Sequence, residues 1–162
     1  MTRSMGIRGL RTLLIAVAAA SWAACLPTSP EDDLADEVAF YRQLWESSAP
    51  ASYSFALRHT CFCGIPVLEP VRVTVGPSGI VSQVFVSTNE PVGAELSEVW
   101  PDVDGLFSVL EDALERDAER IDVTWNTAMG YPAEIYIDFS ENISDEEQGY
   151  IVVEAPAATG QR

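Results

Sequence analysis

The apolar positions that follow residue 30 recur with the spacing of an amphipathic helix. They are Leu34, Val38, Tyr41 and Trp45. Ser29 can cap the helix, and Pro30 suits the first helical position because a proline there sacrifices no hydrogen bond. The sequence therefore predicts a helix over residues 30–46 that lies on the domain through this apolar stripe.

After a linker at residues 47–50 the apolar period changes to two, which is typical of half-buried strands. The inward positions of the first two strands are Tyr53, Phe55 and Leu57, then Val71, Val73 and Val75. A third strand is predicted over residues 80–87. The turn-forming residues 76–79 join it to the second strand as a hairpin.

The second half of the chain begins with a loop at residues 88–101. Asp102 is a candidate cap for a helix over residues 103–119 with one apolar side. Three further strands are predicted, with inward positions Ile121, Val123 and Trp125, then Ile135, Ile137 and Phe139, then the segment Tyr150 to Glu154. Residues 141–149 form an acidic loop, and residues 155–162 are expected to be a flexible tail.

The order of elements is helix, three strands, helix, three strands. Short links between neighbouring strands favour antiparallel pairing. The predicted fold class is therefore α+β, with one antiparallel β-sheet of about six strands and two helices packed on one face. The predicted boundaries of this single domain are residues 31 and 154.

The first 24 residues have the order of a secretory signal peptide. Arg3, Arg8 and Arg11 form a basic head, and an apolar run follows at residues 13–20. That run is too short for a membrane-spanning helix, which needs about 20 apolar residues. We expect residues 1–24 to be a signal peptide and the protein to be exported.

The end of this segment resembles a bacterial lipobox, although Trp22 stands where leucine is usual. Ala23, Ala24 and Cys25 match the usual small residues and cysteine. The resemblance implies acylation of the Cys25 thiol and cleavage before it, which leaves residues 25–30 as a lipidated cysteine with a short tether. The expected location is then a membrane surface or the periplasm of the bacterial envelope. The alternative is ordinary cleavage after Ala23, which would release a soluble secreted protein.

The charge of the chain is strongly acidic, with a formal net charge of −16 and no lysine. Three of the nine basic residues precede Cys25 and all 25 acidic residues follow it, so the mature charge is −19. Such a surface repels nucleic acid, and we expect no nucleic-acid partner. The acidity favours solubility, and it also suits a cation or a basic partner.

A series of short motifs, in order along the chain, carries a family likeness. They are Trp45 at the end of the early helix, Tyr53 before Cys61-Phe62-Cys63, Asp104-Gly105-Leu106-Phe107, Gly130-Tyr131-Pro132 with Ile135 and Asp138, and Asp145-Glu146-Glu147 before Tyr150. Over residues 34–154 the chain resembles the bacterial family called domain of unknown function 6174, small secreted or lipid-anchored envelope proteins. The resemblance implies an α+β envelope domain and supplies no activity.

Cys61 and Cys63 are the first candidates for chemistry. In a regular strand their Cα atoms would lie about 6.5 Å apart, near the upper limit for a disulfide, and a bend at Gly64 and Pro66 would close the gap. Two thiols this close should oxidise outside the cytoplasm. The pair is then either a structural clip at the end of the first strand or a redox-active disulfide.

Metal binding is not expected from the spacing. His59, Cys61 and Cys63 share strand parity, but a straight strand spaces their side chains too widely for one ion, and no second cluster completes four ligands. A group of oxygen donors near the acidic loop could bind Ca²⁺ or form a solvated turn, and it lacks the spacing of a calcium-binding loop. The group consists of Asp138, Glu141, Asn142, Asp145, Glu146 and Glu147.

Gly130, Tyr131 and Pro132 are either a recognition loop or a tight turn with the tyrosine packed inward. The single histidine lies on an apolar strand face, so no serine-nucleophile trio is credible. The sequence therefore predicts no catalytic residue and no cofactor. The leading hypothesis is a lipid-anchored, non-enzymatic domain that contacts a protein or small-molecule ligand. The alternative is a thiol-redox or metal-handling protein that uses Cys61 and Cys63.

Overall fold

The computed structural model describes residues 30–140, 142–143 and 145–160. The predicted signal peptide, Cys25 and nearly all of the tether lie outside the described residues. The helices and strands are α1 Pro30–Ser48, β1 Tyr53–Cys61, α2 Ile65–Leu68, β2 Val71–Gly76, β3 Gly79–Phe85, α3 Val103–Glu115, β4 Arg120–Trp125, β5 Pro132–Asp138 and β6 Gln148–Ala158. A short 3₁₀ helix lies at Ala94–Leu96.

The six strands form one open antiparallel sheet in the order β3-β2-β1-β6-β5-β4. In the first half of the chain β1 pairs with β2 and β2 with β3, and in the second half β4 pairs with β5 and β5 with β6. The pairing of β1 with β6 unites the two halves at the centre of the sheet. This arrangement confirms the predicted α+β class and the single antiparallel sheet.

Helices α1 and α3 pack together on one face of the sheet, as predicted. Their apolar sides and the inward positions of the strands form one buried cluster. Trp45 of α1 contacts the rings of Tyr53 and Tyr131 edge-on, with centroids 5.2 and 6.0 Å apart. The inward valines of β2 are buried while its intervening residues are half-buried, which is the alternation that the sequence shows.

Helix α3 begins where the sequence predicts and ends earlier. The Asp102 side chain accepts a hydrogen bond from the Gly105 N–H at 2.8 Å, which is the expected N-cap. The helix ends at Glu115 rather than at residue 119. Asp117 has φ 52°, a left-handed conformation that ends a helix because it breaks the repeating hydrogen bonds.

The end of the domain differs from the prediction. Strand β6 continues past Glu154 to Ala158, so the predicted flexible tail at residues 155–162 begins too early. Ala157 pairs with Ser54 and Ala158 with Tyr53, and these backbone contacts extend the sheet without large apolar side chains. Among the described residues, no helix has the length and apolarity needed to cross a membrane.

Candidate functional site

The chain bends sharply just after β1, and this bend builds the candidate site. Gly64 precedes α2 in an extended conformation and Pro66 occupies its first turn, so the strand cannot continue. The bend draws the Cα atoms of Cys61 and Cys63 to 5.2 Å and places their sulfur atoms at bonding distance. Cys61 is half-buried and Cys63 is exposed. The geometry therefore agrees with the predicted pairing of Cys61 with Cys63 and with the bend that was expected to bring them together.

His59 lies two residues before this pair, on the inner face of the sheet as its parity indicates. Its ring stacks on Tyr150, its neighbour across the β1–β6 pairing, with centroids 4.7 Å apart. Only 9% of the residue is exposed, and burial lowers the pKa of His59 below its usual value because a charged ring would lose its hydration. The ring is therefore mostly neutral at pH 7.

The polar atoms of His59 are poorly satisfied. Nδ1 lies 3.4 Å from the Cys61 Sγ, and sulfur is a weak hydrogen-bonding group. Nε2 is buried and has no hydrogen-bond partner among the described residues. Buried polar atoms are nearly always paired, so an imidazole in this condition marks the site as unusual.

The structure corrects the expectation that three ligands could not meet. One ligand atom from each of His59, Cys61 and Cys63 lies within 4.8 Å of the others. The prediction assumed a straight strand, whereas the bend after Cys61 folds Cys63 back towards the histidine. In the described part of the chain, this is the one group of three or more candidate metal ligands.

An open cleft of about 380 Å³ lies beside Cys61. It is formed by the end of β1, by β5 and by the acidic loop, and its lining residues are Thr60, Cys61, Phe62, Tyr136, Asp145, Glu147 and Gln148. Phe62, between the two cysteines, is 79% exposed. Aromatic rings and carboxylates therefore meet at one surface next to the disulfide.

Some oxygen donors near the acidic loop do not line the cleft. Within the described residues, these donors do not form a calcium site. Asp138 is buried, and its carboxylate accepts a hydrogen bond from the Ser140 N–H at 3.0 Å, which fixes a local turn. Asn142 is exposed, Glu146 is half-buried, and Glu141 lies outside the described residues.

At Gly130 to Pro132 the tyrosine is packed inward, as the tight-turn alternative predicts, and the recognition role of this segment stays a prediction. Tyr131 is 3% exposed and packs against Trp45. Its hydroxyl accepts a hydrogen bond from the Asn126 side-chain amide at 3.1 Å. Gly130 has φ 88°, which glycine adopts without strain.

Comparison with known proteins places the chain in a family without an assigned activity. No curated protein and no solved structure matches the chain. The family of unknown function DUF6174 matches it over residues 37–155, which include α3, most of α1 and all of the strands except the end of β6. The match agrees with the resemblance carried by the sequence motifs. The chain belongs to the family of unknown function DUF6174.

Proposed function

We propose that the protein is an exported bacterial lipoprotein, anchored through Cys25, that presents its domain at a membrane surface or in the periplasm. The basic head, the short apolar run and the small residues before Cys25 support export and acylation. The observation that carries the proposal is the pairing of Cys61 with Cys63, because disulfides persist in oxidising compartments and are rare in the cytosol.

The domain acts by contact rather than by catalysis, and the cleft beside Cys61 is its contact surface. Phe62 offers an exposed aromatic side chain, and Tyr136 lines the same cleft. Asp145 and Glu147 add carboxylates to it. Aromatic faces and carboxylates both attract positive charge, and the overall acidity acts in the same direction. The partner is therefore a protein or small molecule that presents a cationic group.

Replacement of Cys25 by alanine is expected to abolish acylation and to move the exported protein from the membrane fraction to the soluble fraction. The physical reason is that stable anchoring needs more than one acyl chain, and both chains depend on this residue. Mass spectrometry of the exported chain and membrane fractionation provide the readout. Cys63→Ser removes a cysteine elsewhere and should keep the anchor. An unacylated wild-type chain that begins at Ala24 would contradict the proposal and favour a soluble secreted protein.

A photo-crosslinking residue at position 62 is expected to trap a discrete partner in intact cells. Asp145→Asn together with Glu147→Gln should reduce the yield several-fold, because these changes remove the carboxylates of the cleft. The same crosslinker at Val81, which is exposed on edge strand β3, is the matched control and should give only background. Equal yields at the two positions, or a yield insensitive to the two charge changes, would argue against the cleft as a contact surface.

A second candidate function, thiol-redox or metal-handling activity, is favoured by the surroundings of Cys61 and Cys63. Thiol–disulfide exchange needs an accessible sulfur and benefits from a nearby base. Cys63 is exposed, and the His59 Nδ1 lies 3.4 Å from the Cys61 Sγ. A partner's thiolate would attack the Cys63 sulfur and form a mixed disulfide, while Cys61 leaves as a thiolate that can accept a proton. A purely structural clip would not need the histidine.

A further inference from the structure

We propose that His59, Cys61 and Cys63 form a copper(I) site when the disulfide is reduced, and that oxidation of the two cysteines releases the ion. This inference deepens the second candidate function. It depends neither on the lipid anchor nor on the cleft.

The first support is the geometry of the three donors. Metal–nitrogen and metal–sulfur bonds of about 2.0–2.3 Å allow two ligands of one ion to lie up to about 4.6 Å apart. The three ligand atoms already lie within 4.8 Å of one another, and His59 Nδ1 lies 3.4 Å from Cys61 Sγ. Small side-chain rotations of the cysteines after reduction are enough to bring all three onto one ion.

The second support is the condition of the histidine. His59 is about nine-tenths buried, Nε2 has no partner among the described residues, and the polar neighbour of Nδ1 is a sulfur atom. The protein thus buries an imidazole without giving it good hydrogen bonds, which is unfavourable for a ring with a purely structural purpose. Stacking on Tyr150 fixes the ring plane. A metal ion bound to Nδ1 would be coordinated by a lone pair that now has no strong hydrogen-bond partner.

The donor set selects the class of metal. Thiolates are soft ligands and imidazole is of intermediate softness, and together they favour copper(I) and zinc over magnesium or calcium. Structural zinc sites are almost always four-coordinate, whereas the group in the described part of the chain supplies three ligands. Copper(I) accepts fewer ligands than zinc, so these three ligands can complete its coordination, whereas zinc would need a water molecule as a fourth ligand. The exposed Cys63 leaves the group open to an incoming ion.

The redox state of Cys61 and Cys63 controls copper(I) binding, because only the reduced pair supplies thiolates, which bind the ion strongly. A dithiol reductant gives two electrons and two protons to the Cys61–Cys63 bond and becomes a disulfide itself. Copper(I) then replaces the two thiol protons. In the release step the two thiolates give two electrons to an oxidising disulfide, which takes two protons from water, and the ion leaves with its charge unchanged.

The test is an anaerobic titration of the purified exported protein with copper(I), in competition with a chromophoric copper(I) chelator. The reduced protein is expected to bind one equivalent and the oxidised protein none. X-ray absorption should show both sulfur and nitrogen ligands. Circular dichroism of the reduced protein and of each variant checks that the fold is retained.

Variants separate this inference from its alternatives. Cys61→Ser, Cys63→Ser and His59→Gln should each weaken binding by more than the roughly 10- to 100-fold that loss of a supporting contact produces. Thr74→Val, on the neighbouring strand β2 and away from the three ligands, should leave the affinity unchanged.

Undiminished affinity in His59→Gln would overturn the assignment of the histidine, and tighter binding of zinc would overturn the choice of metal. Turnover of a test disulfide without copper(I) binding would overturn this inference while supporting the exchange activity. Absence of both would remove the second candidate function as well.

Discussion

Replacement of Trp45 by alanine is expected to lower the free energy of unfolding by about 3–5 kcal/mol, a large part of the stability of a small domain. Trp45 is 2% exposed and lies where α1, β1 and the turn before β5 meet. Its removal would take large apolar area from the core and leave a cavity that the surrounding helix and sheet cannot fill. The edge-on contacts with Tyr53 and Tyr131 would be lost at the same time.

Urea denaturation followed by circular dichroism measures this change. Phe40→Ala is the matched control, since Phe40 lies on the same helix but is 62% exposed, and its replacement should change the stability by no more than about 0.5 kcal/mol. A loss at Trp45 no greater than the loss at Phe40 would mean that α1 does not pack on the sheet as described.

The sequence predicted the elements whose buried face repeats at a regular spacing. The inward valines of β2 alternate with half-buried residues, and the stripe ending at Trp45 has helical spacing. In both cases the local pattern records which side faces the core. Helix α3 was predicted from its cap as well, because the Asp102 carboxylate sits where a free backbone N–H needs an acceptor.

Features without a local repeat could not be predicted in this way. Helix α2, Ile65–Leu68, is too short to show a period. The end of β6 at residues 155–158 carries mostly small residues, and it is a strand because its backbone pairs with the start of β1. The central pairing of β1 with β6 joins segments far apart in the chain, and the spacing within either strand does not indicate its partner.

The candidate site was predicted in its parts but not in its assembly. The inward direction of His59 followed from strand parity, and Gly64 and Pro66 indicated a bend after the cysteines. The bend then brought three donors together, which a straight strand would have kept apart. The cleft was not predicted because Tyr136 on β5 and the acidic loop reach Phe62 only through the folded sheet.

The turn before β5 was also predicted only in part, because its shape depends on the local sequence and its packing depends on the rest of the fold. A glycine followed by tyrosine and proline indicated a turn, and Gly130 has the positive φ that only glycine adopts easily. The inward packing of Tyr131 depends on where α1 crosses the sheet, which the motif does not contain. The close approach of α1 to this turn is the reason for the second large expected change in stability.

Gly130→Ala is expected to lower the free energy of unfolding by about 2–5 kcal/mol, through backbone strain of about 1–2 kcal/mol and overpacking of about 1–3 kcal/mol. A Cβ atom at this position would lie 2.6 Å from the Trp45 backbone nitrogen and 2.7 Å from the Tyr41 carbonyl oxygen. Both atoms belong to the backbone of α1, so relief requires a shift of the helix rather than the rotation of a side chain.

Two other glycines separate the strain from the clash in the same denaturation experiment. Gly79 has φ 110° but open space where the methyl group of an alanine would lie, so Gly79→Ala should show the strain alone, about 1–2 kcal/mol. Gly64 has φ −69° and equally open space, and Gly64→Ala should change the stability by no more than about 0.5 kcal/mol. If Gly130→Ala costs no more than Gly79→Ala, the turn does not touch α1. Tyr131 would then be free to move outward, which would support the recognition-loop interpretation.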